Sequence, residues 1–327
     1  MMKGMDLALK EFNSENKMWG RTVEIVYEDH QANPTTALSA FQILKSEGIQ
    51  IISSSFSNVI LALAPIANES EILLINSGAT GRDLKAKGIF LLNTVPDAEL
   101  EVLPLADYSL NNEYKTAGII YVNYQFGLDQ KNIFKENFKK KGGSVVAEEG
   151  SPIDSTDFRT ALLKIKEKNP DIIFIGTLAK ETALIIKQAK ELGISTLMIT
   201  TQTSISVKSL QDLNGSAEGL IISGPRFDLE KDTNLAFTKF KELYFKEYGE
   251  DPDYFATTYY DSTKMILQGI KKCGSADAKC VSEFIRSLKD FNGASGMTTF
   301  KGTTVEKPID LKIFKNNKLE TLEFSEG

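Results

Sequence analysis

Two short polar segments, residues 53–58 and 76–81, carry residue types suited to binding a small anion. Each follows a short apolar run and precedes an amphipathic stretch, so both fall where a strand passes into a helix. A hydroxyl beside a helix N-terminus, together with the backbone N–H groups there, can bind a carboxylate. Ser57 and Thr80 are the candidates, although either residue can equally be the N-cap of its helix. The spacing leaves both roles open.

Residue types for covalent chemistry are scarce in the rest of the chain. The single histidine, His30, lies in a polar Asp-His-Gln loop, where we expect it to be solvated. The sequence has no glycine loop for a nucleotide phosphate and no Gly-x-Ser-x-Gly nucleophile elbow. It also lacks the cysteine and histidine partners that a tetrahedral zinc site needs. The sequence therefore predicts a protein that is not an enzyme and that uses no cofactor or metal.

Cys273 and Cys280 are the only cysteines and lie seven positions apart. Gly274, Ser275 and Asp277 between them favour a turn, so a disulfide that closes a short loop is the preferred interpretation. Such a bond indicates an oxidising compartment. Two unrelated thiols, or one end of a metal site, are the alternative.

The composition is that of an ordinary globular protein, with 327 residues of which 42% are hydrophobic and 25% charged. This length suggests about two domains of roughly 100–200 residues each. The net charge of −6 gives no basic bias, which argues against nucleic acid as a partner. The longest apolar stretch, residues 59–67, is far shorter than the ~20 residues that span a bilayer. No secretory leader is visible at the N-terminus.

Short apolar runs alternate with amphipathic helices along most of the chain, which predicts βαβ units and parallel sheets. After a helix near residues 5–12, the first part of the chain predicts strands at 23–27, 50–53 and 72–76. A second α/β unit begins near residue 98, with strands at 117–122, 144–147, 172–176, 196–200 and 219–223. Helices follow at 234–248, at 254–271 and from about 278. Strand-like segments then lie at 297–300, 309–314 and 319–324, with a hairpin turn at Asn316-Asn317.

A series of short motifs runs in order along nearly the whole chain. They include Gly4–Asn13, Ala64-Pro65-Ile66-Ala67, Ser77-Gly78-Ala79-Thr80, Phe126-Gly127, Ala217-Glu218-Gly219, Tyr260-Asp261 and Gly293 with Gly296 and Phe300. No single motif is specific, but together and in this order they resemble the type I periplasmic binding proteins of the branched-chain amino acid transport family.

The resemblance implies an α/β fold of two Rossmann-like lobes with parallel-rich central sheets, hinged by three crossovers. By analogy, lobe 1 comprises residues 1–97 and 226–306, and lobe 2 comprises residues 98–225 and 307–327. The implied function is that of an extracytoplasmic protein that captures a small carboxylate ligand between its lobes for an ABC transporter permease. A ligand-sensing receptor of the same fold is the alternative, and a hydrolase on an α/β scaffold is a weaker one. We expect a monomer in the periplasm or outside the cell, and leave lipid anchoring open.

The resemblance also implies which residues of lobe 1 line the ligand: Phe56, Ser57, Gly78, Ala79, Thr80 and Tyr254. The Ser57 hydroxyl and backbone amides are expected to bind the ligand carboxylate. Thr80 and a carbonyl near Gly78 are expected to bind an ammonium if the ligand has one. Phe56 and Tyr254 are expected to contact its apolar part.

The sequence departs from the family pattern in three ways. The family's opening strand should precede Gly4 and is missing, which would leave the backbone of its two neighbours unpaired. The lobe 2 acid that pairs with an amino acid's ammonium falls at Gln202, a neutral amide. Two aromatic wall positions fall at Phe126, which has no hydroxyl, and at Leu178.

These departures predict a ligand that has a carboxylate but no free ammonium, such as an aliphatic or aromatic acid. An ammonium that faces an amide instead of an acid loses a charge-assisted bond of ~1.5–3 kcal/mol. The alternatives are that another acid supplies the charge, or that an ordinary amino acid binds weakly.

Overall fold

A computed structural model describes residues 1–15, 22–225 and 234–322 of the protein. The elements up to residue 97 are α1 (Met2–Glu15), α2 (Pro34–Ser46), β1 (Ile51–Ser54), α3 (Ser57–Glu69), β2 (Leu73–Asn76), a 3-10 helix (Arg82–Ala86) and β3 (Leu91–Asn93). The next are α4 (Ala98–Asn111), β4 (Thr116–Val122), α5 (Gln125–Lys140), β5 (Ser144–Ser151), α6 (Arg159–Glu167), β6 (Ile172–Gly176), α7 (Ala179–Glu191), β7 (Leu197–Thr201), a 3-10 helix (Gln202–Ser204), α8 (Val207–Gln211) and β8 (Ile221–Pro225). The last are α9 (Leu235–Tyr248), α10 (Tyr254–Cys273), α11 (Ala278–Arg286), β9 (Phe291–Gly293), β10 (Gly296–Lys301), β11 (Thr304–Glu306), β12 (Ile309–Lys315) and β13 (Lys318–Thr321).

The chain forms two compact units and passes from one to the other three times. Unit 1 comprises Met1–Asp97 and Asp232–Pro308, and unit 2 comprises Ala98–Lys231 and Ile309–Gly327. The predicted change of lobe at residue 226 lies outside the described residues, and the lobe boundaries stay a prediction. The predicted α/β architecture with parallel-rich sheets is confirmed, since helices alternate with parallel strands in both units.

Unit 1 is built on a parallel sheet in the order β1-β2-β3, with the short antiparallel strands β9–β11 forming a second sheet. The strands of the parallel sheet are apolar on both faces. Leu74 packs on one face in the cluster that includes helices α2 and α3, and Leu73 and Ile75 pack on the other face with α10 and α11. This two-sided burial is the expected environment of a parallel sheet.

Unit 2 is built on a seven-stranded sheet in the order β13-β12-β8-β7-β6-β4-β5. Strands β4 to β8 run parallel, while β12 and β13 are antiparallel to their neighbours. Ile173 and Ile175 face one core cluster, and Ile172 and Phe174 face the other. The turn between β12 and β13 has positive φ at Asn316 and Asn317, which confirms the predicted hairpin.

The predicted strand at residues 23–27 is wrong, because residues 22–30 form no ladder with any described strand. Val23 instead bonds a side chain of α1: its N–H donates to Asn13 Oδ1 (3.2 Å), and its carbonyl accepts from Asn13 Nδ2 (2.9 Å). Strand β1 likewise pairs with β2 alone among the described strands. The alternation of apolar residues indicates an extended backbone, but a strand also needs a neighbouring backbone.

A disulfide joins Cys273 at the end of α10 to Cys280 in α11. Between them, Asp277 caps α11 by accepting a hydrogen bond from the Cys280 N–H. None of the helices in the described ranges is long and apolar enough to cross a membrane. The same residues contain no group of three His, Cys, Asp or Glu side chains placed to hold a metal ion.

Candidate functional site

Ser57 and Thr80 lie at the carboxyl edge of the unit 1 sheet, after the neighbouring strands β1 and β2. The two residues are only 2% and 1% exposed. Their hydroxyl oxygens are buried and have no hydrogen-bond partner among the described residues. A buried hydroxyl without a partner costs about 1–3 kcal/mol, so such groups are typical of positions that a ligand or water satisfies.

The interpretation of Ser57 and Thr80 as N-caps is wrong. The N-cap of α3 is Phe56, which makes no side-chain cap bond, and Ser57 is the first residue of the helix. The 3-10 helix after β2 is preceded at its N-cap by Gly81, also without a side-chain bond. The first hydrogen bond of α3 runs from Ile60 N–H to the Phe56 carbonyl. The N–H groups of the first turn therefore lie beside the Ser57 hydroxyl, where they favour an anion.

Phe56 holds an unusual backbone conformation directly before Ser57, with φ of 69°. A positive φ is costly for a bulky side chain, by about 1–3 kcal/mol. The ring of His30 contacts the Phe56 ring edge-on, with centroids 6.1 Å apart. Conformations of this kind persist where the surrounding contacts fix them, and they cluster at binding sites.

His30 is half-buried beside this turn, so the expectation of a solvated loop residue is wrong. Its Nδ1 accepts a hydrogen bond from Ala32 N–H (3.1 Å). That bond places the proton of a neutral imidazole on Nε2, which lies 3.3 Å from Ser54 Oγ. His30 thereby links its own loop to the end of β1. No local sequence pattern signals this contact, because Ser54 lies 24 positions from His30.

The side chain of Asn76 at the end of β2 closes the turn that precedes Thr80. Its Oδ1 accepts from Gly78 N–H (3.2 Å) and Ala79 N–H (2.7 Å), and its Nδ2 donates to the Ala79 carbonyl (2.7 Å). The N–H groups of Gly78 and Ala79 are therefore used within the turn, and the expected contact of Gly78 and Ala79 with a ligand stays a prediction. The hydroxyl of Thr80 has no hydrogen-bond partner among the described residues and so is available to a ligand.

The N-terminal half of α10 supports the same edge of unit 1. Tyr254 is buried at the start of this helix, beside Phe255. A Cβ added at Gly78 would lie 3.5 Å from the Phe255 ring and 3.2 Å from Ser55 Cβ, so the turn packs closely there. Ser262 accepts a hydrogen bond from Ser77 Oγ (2.8 Å). The turn that carries Thr80 is thus fixed from both sides.

We predict that the folded protein loses stability in alkali because of Tyr259 on α10. Burial raises the pKa of its hydroxyl to about 12, against a smaller opposing effect of the hydrogen bond with Ser55. The unfolded chain ionises this tyrosine near pH 10 and so holds fewer protons than the folded protein between pH 10 and 12. The free energy of unfolding should therefore fall across this interval, by on the order of 2–3 kcal/mol for Tyr259 alone.

Chemical denaturation of the protein and of Tyr259→Phe at pH 8, 10 and 11.5 measures this effect. We expect the variant to lose less stability above pH 10 than the parent protein. Equal losses in the two proteins would contradict the assignment of this pH dependence to Tyr259.

Phe126, Leu178 and Gln202 are brought together at the carboxyl edge of the unit 2 sheet. They follow β4, β6 and β7, which are adjacent in the strand order. Phe126 and Gln202 are buried, and Leu178 is half-buried as the N-cap of α7. The edges of parallel strands are where open α/β sheets bind ligands.

Two polar residues that the sequence did not single out lie next to Gln202. Lys312 on β12 donates from Nζ to Gln202 Oε1 (3.3 Å) and to the Pro225 carbonyl (2.9 Å). Glu101 on α4 is fully buried, and its Oε2 accepts a hydrogen bond from Thr203 Oγ1 (2.9 Å). Both lie about 100 positions from Gln202 in the sequence, so only the fold brings them together.

Comparison with known protein families shows to which family the chain belongs. The model of a family described as "Periplasmic binding protein" matches residues 1–311 of the chain. The chain belongs to this family. The solved structures that it resembles include branched-chain amino acid-binding proteins of the same fold, as the sequence resemblance indicated. The family is one of solute-binding proteins.

Individual relatives of this periplasmic binding protein are distant but span nearly all of it. A Leu-, Ile-, Val-, Thr- and Ala-binding protein of Pseudomonas aeruginosa is 22% identical over 320 residues, which are 96% of this chain and 84% of that protein. An isoleucine complex of a branched-chain amino acid transporter substrate-binding protein from Streptococcus pneumoniae has a TM-score of 0.88 at 22% identity, covering 98% of this chain and 93% of that one. A benzoate complex of a solute-binding protein from R. palustris has a TM-score of 0.89 at 18% identity, covering 98% and 89%.

Proposed function

We propose that this protein captures a small carboxylate ligand and delivers it to the permease of an ABC transporter. The observation that carries the proposal is the pair of buried hydroxyls without partners, Ser57 Oγ and Thr80 Oγ1, on neighbouring loops of unit 1. Beside them, the first turn of α3 offers N–H donors at the positive end of a 13-residue helix. Donors without acceptors are the complement of a carboxylate.

The residues at the carboxyl edge of the unit 2 sheet favour a ligand that is apolar beyond its carboxylate. Phe126 and Leu178 offer no hydrogen-bonding side chain, and Gln202 carries no charge. A ligand ammonium would need a charged partner when it leaves water, and Gln202 is not one. We therefore propose that aliphatic or aromatic acids bind better than the corresponding amino acids. The isoleucine and benzoate ligands of the two structural relatives share a carboxylate on an apolar body.

The proposed cycle involves binding and release without covalent change of the ligand. Ligand binding shifts the protein toward a conformation that the permease recognises, and the ligand then passes on unchanged. We propose that the protein acts as a monomer outside the cytoplasmic membrane. The disulfide between Cys273 and Cys280 supports this location, since such bonds persist in oxidising compartments.

A thermal-shift screen tests the proposed ligand class. The panel pairs leucine, isoleucine and phenylalanine with their deaminated acids, and adds benzoate and 4-hydroxybenzoate. A ligand at 100 times its Kd stabilises the folded protein by ~2.7 kcal/mol, which is readily seen as a rise in melting temperature. We expect the acids to raise the melting temperature more than the amino acids do. A larger shift with the amino acids would contradict the proposed ligand class, and no shift with any carboxylate would contradict the proposed function.

A further inference from the structure

The amide of Gln202 is held by a buried lysine from a different part of unit 2. Gln202 is 1% exposed and Lys312 is 3% exposed. Lys312 Nζ lies 3.3 Å from Gln202 Oε1 and 2.9 Å from the Pro225 carbonyl. An ammonium has three donors and no acceptor, so the atom of Gln202 that faces it must be the amide oxygen. The contact therefore fixes the orientation of the Gln202 amide, with its oxygen toward Lys312 and its NH2 group away from it.

The backbone next to Gln202 limits the movement of its side chain. A Cβ added at Gly224 on β8 would lie 2.2 Å from Gln202 Cβ and 3.1 Å from its Cγ. The stem of Gln202 is therefore packed directly against the strand that also carries the Pro225 carbonyl. With its oxygen facing Lys312, the side chain has its NH2 group, with two N–H donors, directed away from the lysine.

We propose that Lys312 is a specificity-determining residue that makes Gln202 a donor toward the ligand. Since the NH2 group of the oriented amide is a donor, Gln202 can bind a ligand oxygen, whereas a ligand ammonium would have to share the amide oxygen with the ammonium of Lys312. The charge of Lys312 itself also repels an ammonium. The favoured class is a carboxylic acid with a second oxygen acceptor, such as a 2-oxo acid. This inference rests on the proposed function, because it concerns the second polar group of the same ligand.

Three probes with one carbon skeleton separate the contributions of this second group. They are 4-methyl-2-oxopentanoate, which carries an oxo group, 4-methylpentanoate, which carries no second group, and leucine, which carries an ammonium. Calorimetric titration of the protein should give the order oxo acid, plain acid, leucine, with about tenfold or more between the first and the last. Leucine binding as tightly as the oxo acid would overturn the inference. If none of the three probes binds, both the inference and the proposed function fail.

Substitutions at the two positions test the role of Lys312 directly. In Gln202→Glu, the new carboxylate pairs with Lys312, so leucine stays the weakest ligand. In Gln202→Glu combined with Lys312→Met, the carboxylate is free, and leucine should become the tightest ligand by about tenfold. A gain of leucine binding in Gln202→Glu alone would show that Lys312 does not hold this side chain, and would overturn the inference while leaving the proposed function intact.

A second variant keeps the test decisive if Lys312→Met does not fold. Gln202→Met leaves Lys312 in place and removes the amide donor, so the oxo acid should bind no better than the plain acid. An unchanged advantage of the oxo acid in this variant would overturn the inference. Lys315→Met is the matched control, because Lys315 lies on the same strand but is exposed, and it should leave the order of the three probes unchanged.

Discussion

The Lys307→Met variant is expected to lose about 3–5 kcal/mol of its free energy of unfolding at pH 7. Lys307 is buried, and its Nζ donates to Ser295 Oγ (2.6 Å). Ser295 Oγ in turn donates to Asp261 Oδ2 (2.5 Å), and this carboxylate also accepts from the N–H groups of Ala294 (2.8 Å) and Ser295 (2.7 Å). Removing Lys307 leaves the buried charge of Asp261 without its cation.

The pH dependence of the loss distinguishes this explanation from a simple packing defect. Burial raises the pKa of Asp261, and the charge of Lys307 opposes that shift. Without Lys307 the pKa of Asp261 rises further above its unfolded value. The folded variant then holds a proton that the unfolded chain has released, so its stability should fall as pH rises from 4 to 7. The difference from the parent protein should therefore be smaller at pH 5 than at pH 7.

Urea denaturation at pH 5 and pH 7 measures both effects. Asp261→Asn combined with Lys307→Met should be more stable at pH 7 than Lys307→Met alone, since the uncompensated charge is gone. Lys301→Met is the control, because Lys301 is exposed and its ion pair with Glu306 contributes ~0–1 kcal/mol. A loss below about 1 kcal/mol in Lys307→Met would show that Lys307 does not compensate the buried charge of Asp261.

The Ser57→Ala/Thr80→Val variant is expected to bind carboxylate ligands about a hundredfold more weakly. A hydrogen bond to a charged group is worth about 1.5–3 kcal/mol, so each hydroxyl should account for about tenfold or more. Neither hydroxyl has a partner among the described residues, so the substitutions break no bond that those residues make. Ligand affinity should fall while the melting temperature of the free protein stays the same or rises.

Calorimetric titration and thermal melting of the double variant and its two single variants test this expectation. Ser282→Ala is the control, since Ser282 is a buried serine of unit 1 with its own partner, the Ile89 carbonyl (3.5 Å). It should leave ligand affinity unchanged. Full affinity in the double variant would show that the carboxylate binds elsewhere.

The pattern of apolar residues was enough to predict strands that are buried on both faces. Strand β6 is apolar at four of its five positions, Ile172 to Ile175, and is buried on both faces, so its run predicts a central strand. The Asn316-Asn317 hairpin was equally predictable, because asparagine tolerates the positive φ that such a turn requires. Residues 23–27 have the same alternation as a strand, but the pattern does not tell whether a partner strand lies beside them.

The placement of Ser57 at a sheet edge followed from the strand–helix order, and Gln202 was singled out by the family resemblance, but the environment of the two residues was not predicted. The positive φ of Phe56 results from the packing around it, and phenylalanine is not a residue that signals this conformation. Lys312 lies 110 positions from Gln202, and its contact depends on β12 joining the sheet antiparallel to β8. Polar contacts between residues so far apart in the chain leave no local pattern in the sequence.

The most direct test of the account is calorimetric titration with a carboxylate ligand and its uncharged amide. The probe is the acid that gives the largest thermal shift in the screen, compared with its primary amide of nearly the same shape. We expect the acid to bind and the amide to bind at least about tenfold more weakly, because the Ser57 and Thr80 hydroxyls and the α3 N-terminus bind an anion. Equal affinity for the acid and the amide would contradict the claim that this protein captures carboxylates.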